Sequence, residues 1–202
     1  MNRDNHYEAA FEAYLRQRGA GVVAVDETRR SYLDPNDVKS PDVIVLGPDD
    51  TRLVVDVKGR RFPGGKPGRL LKTWQNWVKV ADVDGLIRWA GQFGSGFRGV
   101  FAFVYHILPT VVLPTATPDL FVFRGRVYLA RGIDVLDYRE FMTPRSPGWG
   151  TVNLPTAAFR RVVRPFSEFL TLSTGKEHHS NGNEAAIQNG PQMTQTSTQM
   201  KS

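Results

Sequence analysis

The stretch Pro41-Asp42-Val43-Ile44-Val45-Leu46-Gly47-Pro48-Asp49-Asp50-Thr51-Arg52-Leu53-Val54-Val55-Asp56-Val57-Lys58 decides the fold. Residues 42–46 are almost wholly apolar and residues 52–58 are rich in valine, so both predict strands. Gly47-Pro48-Asp49-Asp50 between them has the composition of a turn, and a hairpin is the simplest join. Residues i and i+2 of a strand share a face. Asp56 and Lys58 therefore point one way, while Leu53, Val55 and Val57 point the other way, into a core. The hairpin can bring Asp42 near Asp56, which would gather two carboxylates and an ammonium at the edge of a sheet. Asp56 sits amid Val54, Val55 and Val57, and a carboxylate so close to a core needs a partner.

Upstream of this hairpin, residues 6–18 predict a helix. Tyr7, Phe11, Tyr14 and Leu15 form one apolar stripe, Asp4 or Asn5 can cap its start, and Gly19 and Gly21 end it. At about 100° per residue, Glu8 lies roughly 75° from the centre of the stripe and Glu12 roughly 115°, nearer solvent. Glu8 can thus stand at the helix boundary, aimed at the sheet edge; the plain alternative is a surface glutamate paired with an arginine. His6 can bind phosphate, donate to Glu8 or cap the helix. Residues 21–29 predict a first strand and residues 31–41 a polar loop.

Downstream, residues 59–68 are rich in Gly and Pro and predict a loop. Residues 70–80 are ambiguous, with some helical character. Residues 82–93 predict a helix with Leu86, Trp89, Ala90 and Phe93 on one face, and residues 99–107 a central strand. Residues 120–123 and 126–130 flank Arg124-Gly125 as a hairpin. Residues 133–141 predict a short helix, and residues 156–170 another. From 171 onward Gln, Asn, Ser, Thr and Gly dominate, which predicts a disordered polar tail, 171–202, behind one domain, 1–170. The order helix, three strands, helix, strand implies an α/β core with a mixed sheet flanked by helices.

Composition narrows the function classes. The 202 residues, 41% of them hydrophobic, suffice for one domain. No apolar run reaches the ~18 residues of a membrane helix, and Met1-Asn2-Arg3-Asp4 has no apolar signal-peptide core. The absence of cysteine excludes disulfides, thiolate metal sites and cysteine nucleophiles. A cytoplasmic protein with no membrane partner is the expectation. There is no P-loop or dinucleotide-binding glycine pattern, and Gly94-Ser95-Gly96 lacks the setting of a nucleophile elbow. His106 follows an apolar strand and reads as structural; His178-His179 falls in the expected tail and reads as incidental.

The balance of 26 Lys+Arg against 20 Asp+Glu gives a net charge of +6, which favours polyanionic partners. Lys58, Arg60, Arg61, Lys66, Arg69, Lys72 and Lys79 follow one another with no acidic residue between Asp56 and Asp82. Phe62, Trp74 and Trp77 interleave with them. Cations can track a phosphate backbone while aromatics stack on bases; alternatively the loop closes over the hairpin and the tryptophans pack in the core. Arg160, Arg161 and Arg164 read as a solvated helix face. Two carboxylates beside a lysine suit Mg²⁺ chemistry, because a hard cation takes oxygen ligands and keeps several waters. Such an ion polarises a phosphodiester and acidifies water.

Pro41-Asp42…Asp56-Val57-Lys58, preceded by a helix bearing Glu8, resembles the PD-(D/E)XK nuclease superfamily. His6-Tyr7-Glu8-Ala9-Ala10-Phe11-Glu12 is also similar to the signature of the bacterial HYExAFE family. The resemblance extends to about Leu170 and implies a restriction-endonuclease-like core. It implies that Asp42 and Asp56, helped by the Val57 carbonyl, bind Mg²⁺ or Mn²⁺ and that Lys58 serves the attacking water. Glu8 would hold a water beside the metal, or a second metal, and Gln92 on the following helix would be an accessory residue. His6, Arg60, Arg61, Lys66, Arg69 and Lys72 would contact nucleic acid, DNA ahead of RNA. The implied activity is metal-dependent phosphodiester hydrolysis; the alternative is a noncatalytic nucleic-acid or protein binding module of the same fold. A homo-oligomer stays open.

Overall fold

In the computed structural model, which describes residues 5–25, 39–48, 50–66, 69–71 and 73–171, the expected hairpin forms. Strand β2 (Val43–Leu46) runs antiparallel to β3 (Arg52–Phe62), with Val43 opposite Val55 and Leu46 opposite Arg52. The turn is closed by Thr51 N donating to Pro48 O at 3.1 Å and Gly47 N to Thr51 O at 2.9 Å. Strand β1 (Gly21–Ala24) adds to the other edge of β2. Helix α1 (His6–Gln17) precedes it and is capped by Asn5, whose side-chain oxygen accepts the Tyr7 N–H. Of the predicted polar tail, 171–202, Thr171 closes a helix instead, and residues 172–202 lie outside the described residues.

Beyond Lys58 the chain departs from expectation. Gly59–Phe62 is not loop but the continuation of β3, because β7 (Phe97–Ile107) runs parallel beside it from Arg52↔Phe97 to Phe62↔Ile107. A full ladder on that side satisfies the backbone and outweighs a Gly- and Arg-rich composition. A small hairpin follows, β4 (Gly64–Lys66) with β5 (Arg69–Leu71). The described residues of the ambiguous stretch 70–80 hold no helix ahead of Val80: β6 (Val78–Lys79) leads directly into α2 (Val80–Phe93). After β7, β8 (Leu120–Phe123) and β9 (Arg126–Asp134) form the second expected hairpin. Arg124 and Gly125 both have positive φ, 48° and 72°, as a tight two-residue hairpin turn requires.

Strand β9 runs on to Asp134, so α3 (Val135–Phe141) begins later than the predicted residue 133; the Asp134 carboxylate caps it by accepting the Leu136 N–H. Then come β10 (Thr143–Ser146), a 3₁₀ turn (Pro147–Trp149) and β11 (Thr151–Asn153). The single helix predicted over 156–170 is two, α4 (Thr156–Val162) and α5 (Phe166–Thr171), separated by β12 (Arg164–Pro165). Pro165 cannot continue a helix.

The main sheet of the described residues has seven strands in the order β1-β2-β3-β7-β9-β12, with β8 also on β9. Its β3–β7 pair is parallel and its other pairs antiparallel, so the sheet is mixed and the fold is α/β. Side-chain alternation splits the core between two faces. Leu53, Val55, Val57, Val100, Ala102 and Val104 pack under α1 and α5. Val54, Phe101, Phe103 and Tyr105 pack under α2, α3 and α4. This explains why β7 is apolar on both faces. No helix among the described residues is long and apolar enough to cross a membrane.

One close approach places α1 over β3. A Cβ at Gly59 would overlap the Tyr7 ring, so only glycine lets the first turn of the helix settle on β3 immediately after Lys58.

Candidate metal centre

The Asp42 main chain leaves the regular ladder. Its N–H donates at 3.0 Å to the Val55 carbonyl, although Val55 is the register partner of Val43. Two residues thus face one, a bulge-like step, and Pro41 before it has no N–H to extend the strand. Turned by this step, the Asp42 carboxylate reaches along β3 and accepts the Val57 N–H through Oδ2 at 2.6 Å. Asp42 is 4% exposed and Asp56 3%.

The two carboxylates lie close enough to govern one another. Burial, then the Asp56 charge, pushes the Asp42 carboxyl up to about 8; Glu8 adds to this and the Val57 N–H opposes it. Such crowding of acids favours a cation between them. Asp56 Oδ2 is buried without a hydrogen bond: Lys58 Nζ stands 2.5 Å away, but off the hydrogen-bonding directions. The donor set of two carboxylates, one with an unsatisfied buried oxygen, fits a hard divalent ion that needs only one or two carboxylates beside waters. Among the described residues no set of three or more His, Cys, Asp or Glu side chains closes on one point, so a site built only from side-chain ligands of those types does not fit.

Lys58 lies on the Asp56 face, as strand alternation requires. Its Nζ also donates to Asp82 Oδ2 at 2.7 Å. Asp82 was not among the expected site residues. It sits in the first turn of α2, where the helix dipole favours an anion, and its Oδ2 accepts the Lys79 N–H at 3.1 Å. Burial pushes its carboxyl up, but Lys58 and Lys39 outweigh burial and hold it at about 2. Lys39 is the second residue missed: it lay at the end of a polar loop, with no motif around it. Asp82 had one visible signal, being the first acid after a long basic run.

Glu8 is 8% exposed at the α1 boundary, accepting from Asn5 Nδ2 at 2.8 Å. Glu12, expected nearer solvent, is as buried at 9% and pairs with Arg16. His6 neither caps α1 nor bonds Glu8: its Nδ1 is 2.8 Å from the Tyr128 hydroxyl, and its ring meets His106 edge-on. Burial, then Arg126, lowers the His6 pKa.

The basic stretch divides. Arg60 turns inward, donating to Trp77 O and Gly59 O with its guanidinium over the Trp77 ring. Arg61 is exposed and donates to Gly65 O at 2.6 Å. The side chains of Lys66, Arg69 and Lys72 lie outside the described residues. Trp74 stacks on Phe62 at 3.8 Å and packs against the core. Gln92 is exposed at the far end of α2 from Asp82, about 15 Å along the axis, and is not brought to the centre. Trp149, another residue without a sequence signal, is 82% exposed. Its neighbour Gly150 accepts the Val80 N–H at 2.9 Å, which sets an exposed indole near the start of α2.

No family model matches the chain, and no curated protein matches it; the resemblance of residues 6–12 to the HYExAFE signature has no such match behind it. Among solved structures, a Holliday junction resolvase of the archaeal hyperthermophile Archaeoglobus fulgidus is similar at a TM-score of 0.47 and 12% identity. The match covers 84% of this chain and 96% of that one. A likeness of this size assigns no activity.

Proposed function

We propose that this protein is a divalent-metal-dependent nuclease of the PD-(D/E)XK type, with a restriction-endonuclease-like core, that hydrolyses phosphodiester bonds, DNA ahead of RNA. The observation that carries this reading is the buried Asp42–Asp56 pair, whose Asp56 Oδ2 accepts no hydrogen bond and has the Lys58 ammonium ion-paired at its side. Asp42, Asp56 and the Val57 carbonyl would hold Mg²⁺ or Mn²⁺. When bound, the ion polarises the phosphate and makes attacking water more acidic.

The chain's own groups do the rest. Lys58 orients the attacking water or meets negative charge as it develops on the phosphate. Asp82 fixes the Lys58 ammonium at its post through the 2.7 Å contact. Glu8 adds a third carboxylate near Asp42, within reach of water on the α1 side. Arg61, with Lys66, Arg69 and Lys72, tracks the phosphate backbone, and His6 serves it from beside Tyr128. Trp149 offers a face on which a base can stack.

A noncatalytic binding module is the second reading. It is favoured by the lysines themselves, since Lys58 and Lys39 already pair with Asp56 and Asp82.

The test is cleavage of labelled single-stranded, duplex and branched DNA and of RNA, in Mg²⁺ or Mn²⁺, with Asp56→Ala and Lys58→Ala beside the wild type. We expect cutting that requires the divalent ion and falls by about 100-fold or more in both variants. Binding without cutting on every substrate would select the noncatalytic module. Neither binding nor cutting would end the nucleic-acid reading.

A further inference from the structure

Lys39 stands at the candidate centre and has no part in the chemistry above. Its Nζ is 3.1 Å from Asp56 Oδ1 and 2.7 Å from Asp82 Oδ1. Its carbonyl accepts the Trp89 Nε1–H at 3.1 Å, which ties the residue to α2. With Ser40, Pro41, Asp56, Asp82 and Leu86 it lines a cleft that these side chains fill. Lys58 bridges the same two acids from the other side. Two carboxylates thus share two ammonium groups, and Lys39 supplies one of them.

The two lysines differ in how firmly they are held. The Lys58 side chain is 11% exposed and rises from the sheet interior, whereas the Lys39 side chain is 28% exposed. Lys39 can swing its ammonium into water, where a charged head on a flexible stem is well solvated. Asp82 would keep Lys58 as its partner after that movement. Asp56, in contrast, would be left with an oxygen open to another cation.

We propose that Lys39 is a tethered cation that occupies Asp56 in the absence of a divalent ion and gives way when one binds. This rests on the divalent centre proposed above. An ammonium fixed next to Asp56 competes at high effective concentration, so the chain's own cation sets the metal concentration at which the centre fills.

Mn²⁺ binding by calorimetry tests this at constant pH and ionic strength, on wild type, Lys39→Met, Lys39→Arg and Asp56→Asn. Methionine keeps an unbranched stem and removes the charge. Lys39→Met should bind Mn²⁺ about tenfold more tightly than wild type, roughly 1.4 kcal/mol, and Lys39→Arg should stay close to wild type. Unchanged or weaker binding by Lys39→Met, with wild type still binding through Asp56, would overturn the role of Lys39 alone. Equal tightening in Lys39→Arg would overturn it too, since the charge would not be the cause. No Mn²⁺ binding by either wild type or Lys39→Met would remove the divalent centre and this role with it. The wild-type chain offers a check that needs no variant. Acylation of Lys39 by an amine-specific reagent, read by mass spectrometry, should speed up several-fold when Mn²⁺ is added; an unchanged rate would count against the exchange.

Discussion

At Asp42 two demands conflict. Its carboxylate must accept the Val57 N–H at 2.6 Å and also face Asp56 and Glu8 from a buried position, which pushes it up to about 8. A folded-state pKa above the ordinary carboxylate value means that the fold favours the protonated form. The contribution is fully present below about pH 4 and is lost as pH rises toward 8. Asp42→Asn keeps an acceptor for Val57 and removes the charge. In metal-free buffer at pH 8.5 it should therefore be more stable than wild type, on the order of 3 kcal/mol, with a flatter pH dependence between 4 and 8. Urea unfolding across that range checks this; a variant no more stable than wild type at pH 8.5 would show that Asp42 is not strained by its neighbours. The Asp42, Asp56 and Lys58 grouping was legible in the sequence because strand alternation and one short turn relate all three. Asp82 and Lys39 were not, since they reach Asp56 from a helix start and a loop end that only the folded chain brings together.

Among the elements, the contact between α1 and β3 decides where Glu8 stands. Gly59 admits the Tyr7 ring where any side chain would collide. Gly59→Ala should cost about 2 kcal/mol through overpacking, read as a lower urea midpoint. Adding Tyr7→Ala should recover part of that loss; two independent, additive losses would show that the two residues do not meet. The sequence read this glycine as the start of a loop. Local composition favoured that reading, but the eleven residues of β7 pair with β3 along its whole length, and long-range pairing overrode local preference. The β2–β3 and β8–β9 hairpins needed no such partner, and their turn residues foretold both. The helix over 156–170 was half legible: both ends of the stretch are helical, but Pro165 splits it.

On the scale of the whole molecule, the mixed α/β architecture followed from the order of elements alone, and the structure has it. The net charge of +6 suits a polyanion, although Arg60 shows that a basic residue in a basic run can serve the fold by holding Trp77. The proposed centre turns on one point: the bulge-like step at Asp42 and the alternation of β3 bring two buried carboxylates together beside Lys58, while the docking of α1 sets Glu8 nearby. The most direct measurement is anomalous X-ray scattering from crystals of the protein soaked in Mn²⁺. The proposed centre predicts a peak about 2.1 Å from carboxylate oxygens of both Asp42 and Asp56. Saturating Mn²⁺ that leaves no peak between these two residues, or places it elsewhere in the molecule, would contradict it.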